Sequence, residues 1–136
     1  MMIIKEIDKN DLEEAINLYR ECFNKEKPLI DIELNEYESI IGLYLKDNLI
    51  GLVQLSYINN IFENKKICHI NSFCIKKEYR HQGYGDKLLK ECLRIAKDNN
   101  VDIVNMTSNK NRVYAHMLYQ KNNFEVVDTI FLKKDI

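Results

Sequence analysis

The sequence lacks the features that would assign it to a membrane, to a secretory route or to a repeat class. No apolar run approaches the roughly 18 residues that cross a membrane. Met1–Glu6 has neither the basic stretch nor the apolar stretch of a secretory signal. Repeats, linkers and low-complexity segments are absent, and Pro28 is the only proline. At 136 residues we therefore expect one cytoplasmic domain, residues 1–136, with a core of its own.

Cysteine and histidine do not occur in patterns that bind metal. The cysteines include no Cys-x-x-Cys pair and each lies in an apolar stretch, which predicts reduced core residues. They are Cys22, Cys68, Cys74 and Cys92. No histidine stands at metal-ligand spacing from a cysteine or from another histidine, so the sequence predicts no metal site. The histidines are His69, His81 and His116.

A large excess of one charge is missing as well. The formal net charge of −1 excludes a strong overall attraction to nucleic acid or to an anionic membrane, so we expect neither as a partner. The charges are unevenly distributed: residues 1–40 hold eleven acidic residues against five Lys or Arg, whereas residues 76–94 hold six Lys or Arg against three acidic residues. The basic segment surrounds two glycines, Gly83 and Gly85.

Hydrophobic periodicity predicts alternating strands and helices. The predicted strands are Met2–Ile7, Ile40–Lys46, Leu49–Tyr57, Ile67–Ile75, Val101–Met106 and Val126–Leu132. Helical spacing predicts one helix after the turn at 8–11 and further helices over Asp86–Lys97 and Arg112–Lys121. Asp47-Asn48 is the predicted turn of a hairpin. The early strands should pair antiparallel and the later ones alternate with helices, which gives a mixed sheet with helices on its faces.

The two glycines lie in the turn Arg80-His81-Gln82-Gly83-Tyr84-Gly85, between a predicted strand and a predicted helix. Glycine reaches positive φ at low cost, so successive N–H groups can converge on a phosphate at the helix N-terminus. A dinucleotide fingerprint would need Gly or Ala in place of Leu88, and a P-loop would need four residues between its glycines. An ordinary tight turn that caps a helix is the alternative interpretation.

A second pattern, Arg112-x-x-Ala115-His116-x-x-Tyr119, lies on a predicted helix and is followed by Phe124. Taken alone, it predicts an amphipathic helix on which Tyr119 is a core residue. Arg112 and His116 would then either contact a bound ligand or belong to a solvated helix face.

Together the two patterns resemble the GNAT superfamily of acetyl-CoA-dependent N-acetyltransferases. The glycine turn is similar to its cofactor motif, and the helix with Tyr119 is similar to its C-terminal motif, including members that act on aminoalkylphosphonates and aminoglycosides. The resemblance implies an α/β fold with a central mixed sheet of six to seven strands, flanked by about four helices. It also implies an acyltransferase that moves an acetyl group from acetyl-CoA, its co-substrate, to a primary amine of a small molecule or peptide in a ternary complex.

The resemblance further implies which residues form the site. Tyr119, a phenol with an ordinary pKa of about 10, would protonate the departing thiolate. A backbone N–H within Phe73–Ile75, at Cys74 or a neighbour, would polarise the thioester carbonyl. The expected catalytic residues are Tyr119, Asn71 and Ser72. The last two stand where many members of the family place a glutamate, and as polar side chains they would hold a water that takes the amine proton, with His69 or no dedicated base as the alternatives. The implied cofactor-binding residues are Phe73, Cys74, Ile75, Arg80, His81, Gln82, Gly83, Tyr84, Gly85, Asp86, Arg112 and Tyr119.

The sequence also departs from the family pattern. No carboxylate lies within Ile67–Lys77, where many members place a glutamate that acts as general base. A non-catalytic acetyl-CoA-binding sensor or regulatory module is therefore the alternative function. Asn123 replaces the glycine that usually precedes Phe124, a mild change because Asn tolerates positive φ. Gln82 replaces a basic residue near the phosphates.

The prediction of the acceptor depends on charge. Residues 24–38, which we expect to form a loop with one helical turn, contain more acidic than basic residues. They hold Glu26, Asp31, Glu33, Glu36 and Glu38 against Lys25 and Lys27. A cleft lined by one sign of charge concentrates ligands of the other sign. We therefore expect a small cationic acceptor, such as a polyamine, an amino sugar or a peptide amine, with a merely solvated loop as the alternative. The resemblance also leaves a homodimer open.

Overall fold

The computed structural model describes residues 1–26 and 33–136. Strands and helices alternate along these residues, with two short 3-10 turns at Lys9–Asp11 and Lys77–Tyr79. The elements are β1 (Met2–Glu6), α1 (Leu12–Phe23), β2 (Glu38–Leu45), β3 (Asn48–Asn60), β4 (Lys65–Ile75), α2 (Tyr84–Asp98), β5 (Ile103–Met106) and α3 (Val113–Lys121).

The strands form one sheet in the order β1-β2-β3-β4-β5. Neighbouring strands are antiparallel, except that β4 and β5 run parallel. The hairpin between β2 and β3 turns at Lys46 and Asp47, which both have positive φ, as a two-residue primed turn requires. The turn therefore lies one residue earlier than the predicted Asp47-Asn48, and Asn48 is the first residue of β3.

Helices cover both faces of the sheet. On one face, Leu88, Leu89 and Cys92 of α2 pack in the larger core with Val53 and Leu55 of β3. On the other face, a smaller core is formed by Ala15, Leu18, Leu52 and Cys74, among others. Adjacent residues of β3 thus point to opposite cores, as strand geometry requires. The predicted mixed α/β fold is confirmed, with five strands and three α-helices in the described residues rather than six to seven and about four.

The predicted last strand, Val126–Leu132, is wrong for this structure. Residues 124–136 have no assigned secondary structure. All five apolar side chains of the predicted strand are more than 70% exposed: Val126, Val127, Ile130, Phe131 and Leu132. Apolar β-forming residues predict a strand, but a strand exists only where a neighbouring strand takes up its backbone hydrogen bonds, and the sequence pattern does not report that neighbour.

Two irregularities of β4 open the sheet in its middle. Gln54 pairs with Asn71 but Leu52 pairs with Cys74, so one residue of β3 lies opposite two of β4, which is a β-bulge. Ser72 in this bulge has a φ of +58°. Beside it, β5 pairs with β4 only as far as Ile70 and Met106, while β4 continues to Ile75. The two parallel strands therefore separate beyond Ile70 and leave a gap.

Among the helices of residues 1–26 and 33–136, none has both the length and the apolar content that a membrane crossing would need.

Candidate active site

The gap between β4 and β5 is the mouth of a cavity of about 330 Å³. Five predicted site residues line it together: Asn71, Ser72, Phe73, Arg112 and Tyr119. The strand β4 contributes the first three, and α3 with the residue before it contributes the other two. Side chains of α1, Tyr19 and Phe23, line the same cavity. Residues far apart in sequence thus meet where the parallel strands separate.

The backbone of β4 presents free donors to this gap. The N–H of Lys76 donates to the carbonyl of Ile50 on β3 at 2.7 Å. Because backbone groups alternate in direction along a strand, the N–H of Cys74 also faces β3, whereas those of Phe73 and Ile75 face the gap. Phe73 and Ile75, the neighbours of Cys74, are therefore the candidates for the expected backbone donor.

Tyr119 forms the opposite wall of the cavity. Its side chain is 7% exposed, and its ring packs against the rings of Phe73 and Phe124, with centroid distances of 6.1 and 6.0 Å. Burial raises the pKa of the Tyr119 phenol, and the nearby guanidinium of Arg112 opposes part of that rise. The phenol therefore keeps its proton at neutral pH, which is the state that a general acid needs.

Arg112 and His116 differ in their surroundings. The Arg112 guanidinium lies 5.5 Å from the centroid of the Phe23 ring, a cation–π contact that holds it over the cavity. The Nε2 atom of His116 lies 3.1 Å from the hydroxyl of Ser108, and Ser108 itself lines the cavity. Arg112 is thus at the site, and His116 supports the loop that follows β5.

The glycine turn connects the end of β4 to the start of α2. Gly83 is the N-cap of α2 and has a φ of +88°. The Arg80 Nε donates to the carbonyl of Ile75 at 2.8 Å, and the Gln82 side chain donates to the carbonyl of Glu78 at 3.0 Å. A Cβ built on Gly83 would meet no atom within 4 Å, so the space in front of the helix N-terminus is open. These features fit the binding of a phosphate group.

Gly85 has a different role from Gly83. A Cβ on Gly85 would lie 3.3 Å from Leu118 of α3 and 3.9 Å from Phe73, so its lack of a side chain lets α2 pack closely on both. This close packing brings the first turn of α2 next to the cavity wall.

The other predicted residues of the turn have protein partners. The Asp86 carboxylate accepts from Asn122 Nδ2 at 2.9 Å and pairs with Lys90 at 2.7 Å, and these contacts lower its pKa. Asp86 therefore joins α2 to the end of α3, and only its backbone N–H remains for a ligand. The exposed ring of His81 contacts Tyr114 edge to face at 5.1 Å. The Tyr84 ring meets Tyr79 at 6.3 Å.

A thiol beside the turn was not predicted as a functional residue. Cys22 Sγ of α1 donates to the carbonyl of Ile75 at 3.6 Å, the same carbonyl that accepts from Arg80. A hydrogen bond with the Cys74 thiol lowers the pKa of Cys22 to about 7, although burial opposes this shift. A hydrogen bond with Arg80 and its positive charge act in the same direction as Cys74. The partner thiol of Cys74 has a raised pKa. No local sequence pattern indicates this pair, because 52 positions separate the two cysteines.

A second cavity, of about 320 Å³, lies between α1 and the sheet. Tyr19 and Ser72 line both cavities, so the two meet at the bulge of β4. Gln54 lines the second cavity, and its Nε2 donates to Glu38 Oε2 at 3.3 Å. The Glu38 carboxylate therefore lies behind Gln54, which separates it from this cavity. Sequence reasoning assigned Glu38 to an acidic loop, whereas the structure shows it as the first residue of β2.

The same sheet face carries further polar groups. Asn71 Nδ2 donates to the Ser56 hydroxyl at 3.4 Å, and the His69 ring lies 2.6 Å from the Asn105 side-chain oxygen. Three other acidic residues of the predicted loop lie within the described residues, and all three are exposed: Glu26, Glu33 and Glu36. Asp31 and Lys27 lie outside the described residues. Within the described ranges, 1–26 and 33–136, no group of three or more His, Cys, Asp or Glu is arranged to hold a metal.

Comparison with known proteins agrees with this geometry. The pattern of the Acetyltransferase (GNAT) family matches residues 6–124. A spermidine N(1)-acetyltransferase from Thermoplasma acidophilum is 28% identical over 113 residues, which are 81% of this chain and 66% of that protein. The chain therefore spans slightly less than two thirds of that relative.

Solved structures share the fold at low sequence identity. A transcriptional regulator from Bacillus halodurans superposes with a TM-score of 0.86 at 19% identity, over 100% of both chains. A predicted acetyltransferase from Clostridium acetobutylicum, solved with acetyl-CoA, gives a TM-score of 0.80 at 16% identity, over 98% of this chain and 96% of that one. Because the family pattern extends from the end of β1 to Phe124 and so includes the glycine turn, the bulge and Tyr119, the chain belongs to the GNAT family of acetyltransferases.

Proposed function

We propose that residues 1–136 form one N-acetyltransferase domain, which transfers the acetyl group of acetyl-CoA to a primary amine of a small molecule or peptide by direct attack in a ternary complex. The observation that carries the proposal is the gap between β4 and β5. It has free backbone N–H groups on one side, a buried phenol on the other, and an opening at Ser72 into a second cavity.

The proposed site for acetyl-CoA extends from the glycine turn into the gap. The N-terminus of α2 behind Gly83 suits the pyrophosphate, because its N–H groups are unpaired and the space before it is open. Arg80 adds positive charge beside that point. The strand-like backbone of 72–75, which has no strand partner on the side of β5, suits an extended amide-containing chain such as pantetheine.

Acetyl transfer needs three things from the protein. The amine must be aligned on the thioester carbonyl, the negative charge that develops on the carbonyl oxygen must be stabilised, and the departing thiolate must gain a proton. The N–H groups of Phe73 and Ile75 face the gap and can stabilise the negative charge on the carbonyl oxygen. Tyr119, whose pKa is raised by burial, holds a proton that it can give to the departing thiolate.

The amine proton must leave before or during the attack, because an alkyl ammonium with a pKa near ~10.4 is not a nucleophile. Asn71 and Ser72 lie where the two cavities meet, and we propose that they hold a water that takes this proton. Glu38, which is hydrogen-bonded to Gln54 beside the second cavity, offers a carboxylate that β4 lacks. In this scheme Glu38 attracts the protonated amine, and the proton that the amine loses passes to the water held by Asn71 and Ser72 and from there to bulk solvent.

The proposed acceptor is a small cation. Glu38 lies beside the second cavity, and Glu33 and Glu36 are exposed shortly before it in the chain, so we propose that acidic residues at this end of β2 attract a cation. The relative from Thermoplasma acidophilum, named as an acetyltransferase of spermidine, supports a polyamine as one member of the class.

The test is a turnover assay with acetyl-CoA and a panel of amines: polyamines, amino sugars, lysine peptides, peptide N-termini and aminophosphonates. Release of coenzyme A thiol and the acetylated product should both be followed, the latter by mass spectrometry. A blank without amine corrects for the protein's own thiols. The proposal predicts amine-dependent release with at least one member of the panel.

One observation favours a second candidate, a non-catalytic acetyl-CoA-binding module. The strand β4, Lys65–Ile75, carries no carboxylate. A protein that binds acetyl-CoA by calorimetry but releases no thiol with any amine would support this candidate, whereas amine-dependent release would exclude it.

A further inference from the structure

The residues after α3 form an apolar segment that is detached from the rest of the chain. We call residues 125–136 the C-terminal arm. Phe124 donates its N–H to the carbonyl of Tyr119, and beyond it, within the described part of the chain, no backbone hydrogen bond joins the arm to the remaining residues. Six large apolar side chains of the arm are 72% exposed or more: Val126, Val127, Ile130, Phe131, Leu132 and Ile136.

The order of residues in the arm is that of a covered strand. If 126–132 were extended, Val126, Ile130 and Leu132 would point to one face and Val127 and Phe131 to the other. Apolar side chains on both faces are typical of a strand that is buried between other elements rather than one that lies in solvent. The arm therefore has the sequence of a strand and lacks the neighbours of one.

The same molecule also offers a surface without a cover. In the described residues, β5 pairs with β4 along one edge and with no strand along the other. Ile103 of β5 is 42% exposed. On α3 only Tyr119 is fully buried, and three apolar side chains are at least 58% exposed: Val113, Tyr114 and Met117. An open sheet edge and an exposed apolar helix are both surfaces that proteins normally cover.

We propose that two copies of the chain exchange their C-terminal arms, each arm adding a strand to the open edge of β5 in the other copy and covering its α3. The arm and the open edge are free on one molecule at the same time, and a two-fold axis lets each copy satisfy the other. Closed exchange pairs the open edge of β5 in both copies, whereas a single arm bound to a different protein would leave the β5 edge of its own copy open.

The area involved suits a stable dimer. Side chains of this size bury on the order of 100 Å² each, so two exchanged arms would remove roughly 1,200 Å² of their own surface from water. The surfaces that receive them lose a similar area. The total reaches or exceeds the roughly 1,200–2,000 Å² of standard stable interfaces. The exchange would also brace β5, whose last residue, Met106, lines the first cavity.

The decisive experiment is photo-cross-linking between differently tagged copies. One copy carries p-benzoylphenylalanine in place of Phe131, and the other carries a distinguishable tag and no cross-linker. We expect cross-links from position 131 to β5 or α3 of the tagged partner. The matched control has the cross-linker in place of Phe62, which is 101% exposed at the turn between β3 and β4 and should give no such product. Cross-links from 131 only within its own chain would overturn the proposal.

Sedimentation equilibrium gives an independent readout. The wild type should be a dimer, and Phe131→Ser should weaken dimerisation at least tenfold, while Phe62→Ser should leave the dissociation constant unchanged. Circular dichroism should show that both variants are folded. The proposal is wrong if the wild type is a monomer at all concentrations, or if Phe62→Ser rather than Phe131→Ser dissociates the dimer, which would identify the β3–β4 hairpin as the interface.

Discussion

The rings of Phe73 and Tyr119 meet edge to face, with centroids 6.1 Å apart and an interplanar angle of 79°. Phe73 directly follows Ser72 in the bulge of β4, and Tyr119 is the buried residue of α3. This contact therefore fixes the phenol at a set distance from the strand whose N–H groups face the gap. The contact between Phe73 and Tyr119 thus positions the proposed proton donor, the Tyr119 phenol, relative to the proposed backbone N–H donors of β4.

The first prediction concerns the phenol. Tyr119→Phe keeps the ring and its contacts with Phe73 and Phe124, so the free energy of unfolding should change by less than about 1 kcal/mol. It removes the proton donor, so kcat should fall by roughly 10²-fold or more while the Kd for acetyl-CoA stays within about threefold. Steady-state kinetics and calorimetry measure the two effects. Tyr57→Phe, on β3, is the control and should leave kcat unchanged. An unchanged kcat in Tyr119→Phe would make Tyr119 a packing residue only.

The second prediction concerns the glycine turn. Acetyl-CoA at 100 times its Kd should stabilise the fold by about 2.7 kcal/mol and raise the Tm by several degrees, since it binds only the native state. ATP and NAD should raise it much less, because the turn lacks the Lys and the acidic residue that those ligands need. Gly83→Val should abolish the shift, because its side chain would occupy the open space before α2.

The control for Gly83→Val must separate strain from blockage. Asn100 also has positive φ, +59°, but lies beyond the opposite end of α2. Asn100→Val should therefore lower the Tm by a similar strain and still show the full shift with acetyl-CoA. Equal shifts with acetyl-CoA, ATP and NAD in the wild type would contradict the assignment of the turn.

Local sequence patterns single out some of the residues that the structure brings to the candidate site. Gly83 before an amphipathic helix and Tyr119 on another can both be recognised from their neighbours in the chain. The bulge at Ser72 could not, because it arises from the register between β3 and β4. The same limit applies to Cys22, whose thiol acquires its surroundings only when α1 packs beside the end of β4. Val126–Leu132 failed for a related reason, since its strand partner is not visible in a local pattern.

The third prediction concerns Cys22. Its pKa is lowered from 9.0 to about 7, so at pH 8 most of the thiol should be thiolate. Alkylation by iodoacetamide should be fastest at Cys22, with a midpoint near pH 7. Burial raises the pKa of Cys68 to about 11 and of Cys92 to about 12, so both should stay unmodified in the folded protein. Peptide mass spectrometry at a series of pH values measures each site.

The lowered pKa of Cys22 also predicts how the stability of the fold changes with pH. A lowered pKa in the folded state means that the thiolate is favoured by folding, so this contribution is present above the ordinary value near 9.0 and is lost as the pH falls through about 7. Arg80→Met should raise the midpoint of alkylation by removing a positive charge, and Arg94→Met, on the exposed face of α2, is the matched control. Equal alkylation of Cys22 and Cys92 would refute the assignment.

The last prediction concerns the charge of the acceptor. If Glu38 and the acidic residues that precede it in the chain select a cation, Glu33→Gln with Glu36→Gln should raise the KM for a polyamine by roughly two- to fivefold per charge, as expected for exposed charges. Glu38→Gln should raise it further, because Glu38 contacts Gln54 of the cavity. High salt should reduce all these differences, since the Debye length falls from about 8 Å at 0.15 M to about 3 Å at 1 M.

Two comparisons decide whether this selection is real. Glu63 is exposed in the turn between β3 and β4. The Glu63→Gln variant removes the same charge far from the cavities and should leave KM unchanged. Aminophosphonates, which carry an anion beside the amine, should be poorer substrates than polyamines for the wild type and should gain relative to them in the Glu38→Gln variant. A preference for cations that survives all three neutralisations and high salt would show that the acids do not select the acceptor. In that case shape, set by Tyr19, Ile40 and Ser72 around the second cavity, would be the remaining determinant.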